Sequence, residues 1–126
     1  MKKLLVSAML CAVGLSCAFA NPDELQKACD GGDWEKCVEL GIKYYRGEDG
    51  LTADHWKAHS YFEKSCKEGK SPEGCYRDGV FHLVGFGAEH NLTWSKLHLK
   101  MACDNGHADA CKMYERALEQ DKMEHE

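Results

Sequence analysis

Cysteine is the residue whose spacing in this sequence points most directly to chemistry. A cysteine, a glycine three residues on and a second cysteine recur three times, with the pairs Cys29 and Cys37, Cys66 and Cys75, and Cys103 and Cys111. An even set of cysteines at regular spacing is typical of a disulfide framework in an oxidising compartment. The repetition of one local spacing favours a disulfide within each copy of the pattern.

Metal binding is the alternative chemistry for clustered cysteines and histidines. Ligand pairs in structural zinc sites usually lie about two to four residues apart, and the two cysteines of each copy lie further apart than that. His55, His59 and Glu63 recur at every fourth residue, so they would share one face of a helix and two of them could chelate an ion. Because both histidines also flank an apolar stripe, we interpret them as partly buried packing residues and predict no metal and no other cofactor.

Nucleophilic catalysis has no recognisable signature in the sequence. The Ser-x-x-Lys motif of serine β-lactamases, the Gly-x-Ser-x-Gly elbow and the glycine-rich phosphate loop are all absent. We interpret the serines outside the first 20 residues as helix-surface, packing and capping positions: Ser60, Ser65, Ser71 and Ser95. A thiolate nucleophile would require one disulfide to be open. No catalytic residue is predicted, and whether the chain is an enzyme stays open.

The first 20 residues have the composition of an export signal. Lys2 and Lys3 precede an apolar run over residues 4–15, and small residues at Ala18 and Ala20 suit a signal peptidase. The apolar run is too short to span a membrane comfortably. We therefore predict cleavage after Ala20, a secreted or periplasmic location and no transmembrane segment in the mature chain. Lipid attachment at Cys17 is the weaker alternative, because glycine stands where a lipoprotein signal has a branched aliphatic residue.

The mature chain is small and acidic. Removal of Lys2 and Lys3 with the signal leaves 14 basic against 21 acidic residues, a formal charge of -7. No basic run is present, so nucleic acid is excluded as a partner. A chain of this length builds one small domain, predicted over residues 21–121, with a frayed tail over residues 122–126.

A repeat of about 37 residues organises the chain into helices. Cys29, Cys66 and Cys103 are spaced 37 residues apart, and such self-similarity is typical of repeat architectures. Apolar residues at intervals of three and four predict six helices. One of them is capped by Asp33 and ends at Gly47, and the other five cover residues 22–30, 52–67, 72–84, 92–104 and 107–121. No window shows the alternation of a β-strand.

Each copy of the cysteine pattern is then a corner between two helices. The first cysteine falls in the last turn of one helix, the glycine takes the turn conformation that a side chain would resist, and the second cysteine lies one turn into the next helix. A disulfide across the corner would hold the two helices together. The closed loop is short, so the chain-entropy model gives about 2.5 kcal/mol per bridge.

Two stretches carry a resemblance to a known family. Residues 40–47, LGIKYYRG, and residues 57–69, KAHSYFEKSCKEG, resemble the Sel1-like repeat, a helical hairpin related to the tetratricopeptide class. With a cysteine at each corner, the chain is similar to the cysteine-rich secreted proteins of Helicobacter. The resemblance implies an all-α fold, a short α-solenoid of αα-hairpin repeats stapled by disulfides. The second repeat departs from the motif, since Asp78 replaces a leucine and His82 replaces a tyrosine.

The resemblance implies two kinds of function. Sel1-like repeats generally bind proteins or peptides, whereas the cysteine-rich Helicobacter group implies penicillin binding and slow β-lactam hydrolysis. We predict an exported binding or scaffold module for a protein, a peptide or a peptidoglycan-type fragment, with a β-lactam hydrolase as the alternative. Candidate ligand-binding residues are Tyr44, Trp56, His59, Asp78, His82 and Trp94. Trp56 and Trp94 are included because they occupy related repeat positions off the apolar stripe.

Overall fold

The computed structural model describes residues 20–126, which form six α-helices and no strand. The helices are α1 (Pro22–Asp30), α2 (Trp34–Arg46), α3 (His55–Lys67), α4 (Pro72–Val84), α5 (Leu92–Asp104) and α6 (Ala108–Glu124). The predicted all-α array of helical hairpins is confirmed. The predicted export signal lies outside the described residues. None of the described helices is both long and apolar enough to cross a membrane.

Local capping signals set where the helices begin and end. Each of the six helices follows a residue whose side chain accepts a hydrogen bond from a backbone N–H of the first turn. These capping residues are Asn21, Asp33, Asp54, Ser71, Asn91 and His107. The Asp54 cap places the start of α3 three residues later than the apolar pattern predicts. Gly47 and Gly85 end α2 and α4 with φ of 67° and 75°, in the left-handed region that favours glycine.

The C-terminal helix is longer than the sequence pattern predicts. α6 continues past Asp121 to Glu124, through most of the segment expected to fray. The Gln120 side chain donates a hydrogen bond to the Glu124 carboxylate at 3.0 Å, and His125 Nδ1 donates to the Asp121 carbonyl at 2.8 Å. These contacts one turn apart support the extra helical turn.

A disulfide closes each of the three corners. The bonds are Cys29–Cys37, Cys66–Cys75 and Cys103–Cys111, with Cα–Cα distances of 4.7, 4.5 and 4.6 Å. These are the near-neighbour pairs that the spacing favours. They join α1 to α2, α3 to α4 and α5 to α6, so each bond ties the end of one hairpin to the start of the next.

The middle corner differs from the expected glycine turn. Gly32 and Gly106 have φ of 95° and 91°, as the pattern predicts, but in the middle corner the positive φ of 53° belongs to Lys70. This corner has one extra residue, which moves the left-handed position past Gly69. Gly69 serves a different purpose, because a Cβ there would lie 2.1 Å from the Trp34 indole. The turn-glycine interpretation is therefore wrong at Gly69.

The hairpins stack so that one set of helices lies on the inside of a curve. α2 packs against α3 and α4 against α5, and the disulfide-linked pairs pack in between. α2 also contacts α4, and α4 contacts α6, whereas within residues 20–126 no comparable packing joins α1 to α3 or α3 to α5. The array therefore curves with α2, α4 and α6 on its inner side. Gly41 and Gly79 allow the tight hairpins, since a Cβ would lie 2.5 Å from Phe62 and 2.6 Å from Leu99.

Candidate functional site

A buried carboxylate with three histidines around it occupies the centre of the stack. Asp78, on α4, is fully buried at 0 % exposure. His59 of α3 places Nε2 at 2.5 Å from Asp78 Oδ1, and Nδ1 of His98, on α5, contacts Asp78 Oδ2. His82, one turn along α4, holds its Nε2 at 3.6 Å from Asp78 Oδ1. Three successive helices thus converge on one carboxylate, and we call these four residues the Asp78 cluster.

The ring nitrogens keep Asp78 ionised. Burial by itself raises the pKa of the Asp78 carboxyl, but the hydrogen bonds and charges of His59 and His98 outweigh burial and lower the pKa to about 2. A buried anion is tolerated where donors meet both of its oxygens. Asp78 therefore binds the two flanking helices through a charge-assisted contact where the motif has an apolar leucine.

The outer edge of the Asp78 cluster is open to solvent through two side chains. His82 is about one-eighth exposed, and its Nδ1 donates to the Glu89 carbonyl at 2.8 Å, so its Nε2 faces the Asp78 carboxylate. Glu63 is 37 % exposed, with Oε2 at 3.9 Å from His59 Nε2 and Oε1 at 3.5 Å from Lys67 Nζ. Ligand atoms of His59, Glu63, Asp78 and His82 all lie within 4.8 Å of one another.

The inner side of the array carries a second candidate site. Two adjoining depressions of about 200 and 190 Å³ lie between α2 and α4 and share Tyr45, Val80 and Phe81. A third, of about 400 Å³, lies between α4 and α6 and shares Val84 with one of them. The three form a continuous surface, the inner groove, whose residues include Tyr45, Tyr76, Arg77, Val80, Phe81, Val84, Phe86, Met113, Arg116, Glu119, Gln120 and Met123.

The inner groove exposes apolar side chains that the core does not use. Val84 is 64 % exposed, Met123 68 %, Phe86 43 % and Tyr45 40 %. The aromatic members contact one another, with ring centroids of Tyr45 and Phe86 6.1 Å apart. His55 packs on this aromatic group, 4.1 Å from Phe86 between ring centroids. Contiguous exposed apolar surface of this kind usually marks an interaction site.

The six candidate ligand-binding residues do not form one surface. His59, Asp78 and His82 meet in the Asp78 cluster. Tyr44 stacks on Tyr61 with centroids 5.6 Å apart, under Lys57. Trp56 and Trp94 are 66 % and 41 % exposed and belong to α3 and α5, the helices outside the curve. The binding role of these residues stays a prediction.

Two features of these sites were missed by sequence reasoning. His98 was not singled out, although it lies on the buried stripe of α5 with Ser95, Leu99 and Ala102. His98 is a polar residue on a largely apolar helix face, and Asp78 occupies a core position of the repeat before it. This combination could have predicted that the two residues are partners. The inner groove gave no such signal, because Val84 and Met123 belong to helices whose exposed side depends on how the array curves.

The serines are committed to structural hydrogen bonds. Each hydroxyl donates to an acceptor: Ser60 to the Lys57 carbonyl at 2.6 Å, Ser65 to Phe62 at 2.9 Å, Ser95 to Gly79 at 2.8 Å and Ser71 to the Glu35 carboxylate at 2.8 Å. Within residues 20–126 none of them hydrogen-bonds a histidine or lysine that would serve as its base. The geometry offers no activated serine in this part of the chain.

Comparisons with known proteins identify the fold. No family model matches the sequence, and a search of curated proteins finds no significant match. Among solved structures, Helicobacter pylori cysteine rich protein B superposes with a TM-score of 0.68 and 29 % sequence identity, over 73 % of this chain and 68 % of that chain. The helix order, the curved stacking and the corner disulfides agree with the family resemblance of the sequence. The chain therefore has the disulfide-linked Sel1-like repeat fold, similar to that of this Helicobacter cysteine-rich protein.

Proposed function

We propose that the protein is an exported binding module whose inner groove holds an extended peptide. The observation that carries the proposal is the continuous groove across α2, α4 and α6, with Val84, Phe86 and Met123 exposed along it. Helices of a repeat array present such inner surfaces to elongated ligands. The role predicted from the sequence is thus assigned to a different surface from the one that Trp56 and Trp94 occupy.

The dimensions of the groove suit a short extended segment. Adjacent packed helices lie about 8 to 10 Å apart, so three of them span about 16 to 20 Å. An extended chain rises about 3.3 Å per residue, which gives a bound segment of about five or six residues. Alternate side chains of such a segment point the same way. Two or three apolar side chains can therefore enter the depressions beside Val80 and Val84.

The charges of the groove favour a peptide with a carboxylate. Arg116, on α6, makes no ion pair or side-chain hydrogen bond with any residue in 20–126, and Glu119 is the acidic member nearby. Arg77, at the other end, donates to Glu73 at 2.7 Å. An arginine free of internal partners can hold a carboxylate through two parallel hydrogen bonds. We propose a ligand with apolar side chains and an acidic residue or free C-terminus near α6.

β-Lactam hydrolysis, which the resemblance implies, ranks second. Every serine hydroxyl between residues 20 and 126 donates to a structural acceptor, and the six cysteines of that part are in disulfides. A β-lactam carries a carboxylate and mimics a cell-wall peptide terminus, so the groove proposed here would also give weak capture without turnover.

Peptide selection tests the proposed function. A displayed library of random peptides is selected against the oxidised mature protein, and the enriched peptides are titrated against Val84→Glu and against Trp56→Ala. We expect selected peptides rich in apolar residues with a carboxylate, binding weakened about tenfold or more by Val84→Glu and unchanged by Trp56→Ala. Binding by Val84→Glu that equals that of the wild type, or loss of binding in Trp56→Ala alone, would show that the peptide does not bind in the inner groove. Hydrolysis of a chromogenic cephalosporin well above that of the reduced protein would reverse the ranking.

A further inference from the structure

We propose that His59, Glu63, Asp78 and His82 form a site for one divalent transition-metal ion of the zinc class, between α3 and α4. The residues offer two imidazole nitrogens and two carboxylate oxygens, a ligand set that suits zinc and its neighbours. Sulfur is not part of the set, because Cys66, which lies near Asp78 and His98, is bonded to Cys75. The site differs from the arrangement of His55, His59 and Glu63 that the sequence suggests, since the ring of His55 packs on Phe86.

The spacing of the ligand atoms is close to that of a four-coordinate site. Bonds of about 2.0 to 2.2 Å in a tetrahedral site place ligand atoms about 3.3 to 3.6 Å apart. His82 Nε2 lies 3.6 Å from Asp78 Oδ1, and His59 Nε2 lies 3.9 Å from Glu63 Oε2. The 2.5 Å contact of His59 with Asp78 is a hydrogen bond. An ion bound there displaces the shared proton and separates these two atoms by about 1 Å.

The groups behind the ligand atoms orient them toward a common point. The Nδ1–H of His82 donates to the Glu89 carbonyl at 2.8 Å, and this bond fixes the tautomer that directs the Nε2 lone pair at Asp78 Oδ1. His98 contacts Asp78 Oδ2 and leaves Oδ1 for the ion. Metal-ligating histidines and carboxylates characteristically have such outer partners. His98 is therefore a positioning residue.

Charge and access also favour a cation. Asp78 and Glu63 supply two negative charges, which match a divalent ion. Lys67 pairs with Oε1 of Glu63 at 3.5 Å and leaves Oε2 on the side of His59. Glu63 is 37 % exposed, so an ion can enter along its side chain without unfolding the core. Bound metal would then link α3 to α4.

Metal titration of the oxidised mature chain tests the site. Chelator-treated protein is titrated with zinc chloride by calorimetry at neutral pH, and cobalt(II) is added separately to record the visible spectrum of a four-coordinate ion. The variants His82→Gln and Glu63→Gln each remove a partly exposed ligand and should fold, as circular dichroism will check. The matched control is His55→Gln, which changes a histidine of the same helix outside the site.

We expect one equivalent of zinc, a rise in melting temperature on loading, and the same result for His55→Gln. His82→Gln and Glu63→Gln should each bind at least about tenfold more weakly. No saturable binding of one equivalent, or equal affinity in His82→Gln, overturns the proposal. Loss of binding in His55→Gln would overturn it too, because the ion would then belong to the His55 and His59 pair.

Discussion

Asp78 Oδ1 lies 2.5 Å from His59 Nε2, across the contact between the fourth and third helices. The motif of the repeat has a leucine where this chain has Asp78, so the second repeat replaces an apolar contact by a charged one. His98 meets the other carboxylate oxygen from the fifth helix. One substitution in the motif is thus accommodated by partners in both neighbouring helices.

The pH dependence of stability should reveal this carboxylate. The pKa of Asp78 is lowered to about 2 in the folded chain from an ordinary value of 3.8, so its stabilisation is fully present above about pH 4 and is lost as the pH falls toward 2. The shift corresponds to about 2 kcal/mol. Denaturant unfolding of wild type and Asp78→Asn should differ most at pH 6, and the difference should shrink by about two thirds of that amount at pH 2.5, where Asp78 in the folded chain is still partly ionised.

Groups facing Asp78 are His59, His82 and His98, with Glu63 at the edge. A difference between the two proteins that stays constant from pH 6 to pH 2.5 would show that Asp78 is not ionised in the fold.

Asp78 and His98 should tolerate replacement by apolar residues better together than when His98 alone is replaced. His98→Leu leaves one Asp78 oxygen without its donor and should cost about 3 kcal/mol of unfolding free energy. Adding Asp78→Leu restores the apolar motif residue and should recover part of that loss, because buried ion pairs are often no more stabilising than apolar packing. Recovery should be incomplete, since His59 then loses its Asp78 acceptor and keeps only Glu63, at 3.9 Å, as a carboxylate partner. Additive losses in the double variant, measured by denaturant unfolding, would contradict this coupling.

Close packing of the first hairpin should make Gly41 sensitive to a single methyl group. A Cβ at Gly41 would lie 2.5 Å from Phe62 Cε1 and 3.1 Å from the Ala58 carbonyl oxygen. We expect Gly41→Ala to cost about 1 to 3 kcal/mol, measured by denaturant unfolding. Gly31→Ala is the control, since its Cβ meets only carbonyl oxygens at 3.4 and 3.5 Å. Equal stabilities of the two variants would argue against the tight α2–α3 contact.

The corner disulfides should each contribute separately to stability. Replacing Cys103 and Cys111 by alanine opens a loop of sequence separation 8 and should cost about 2.5 kcal/mol of unfolding free energy. Mass analysis of proteolysed, unreduced wild type should show three local crosslinks. Free thiols in protein purified under oxidising conditions, or unchanged stability after reduction, would refute this contribution.

Much of the fold follows from local signals in the sequence. Asp33, Ser71 and Asn91 cap helices, and Gly47 ends one, so these bounds are predictable from residues within one turn. The corner pairing follows from repetition of a spacing. The apolar pattern predicts that α3 begins at Thr52, but the helix begins at His55 because the Asp54 side chain caps its first turn. In the middle corner, one extra residue moves the left-handed backbone position to Lys70.

The sites depend on distances between helices, which the pattern of one helix does not contain. His98 reaches Asp78 only because α5 packs beside α4. The ring of His55 packs on Phe86, in the loop after α4, whereas His59 joins Glu63, Asp78 and His82. Exposure of Val84 follows from the direction of curvature. Periodicity predicts which face of each helix is apolar, but it does not predict which apolar residues remain exposed after the repeats stack.

The proposed binding of a peptide on the inner side of the curve can be mapped by nuclear magnetic resonance. A peptide from the selection is titrated into ¹⁵N-labelled protein, and shifts of backbone amides and tryptophan indole N–H groups are followed. We expect shifts concentrated at Val80, Val84 and Met123, with the indole signals of Trp56 and Trp94 unchanged. Shifts confined to those two indoles and their helices, with the inner groove silent, would contradict it.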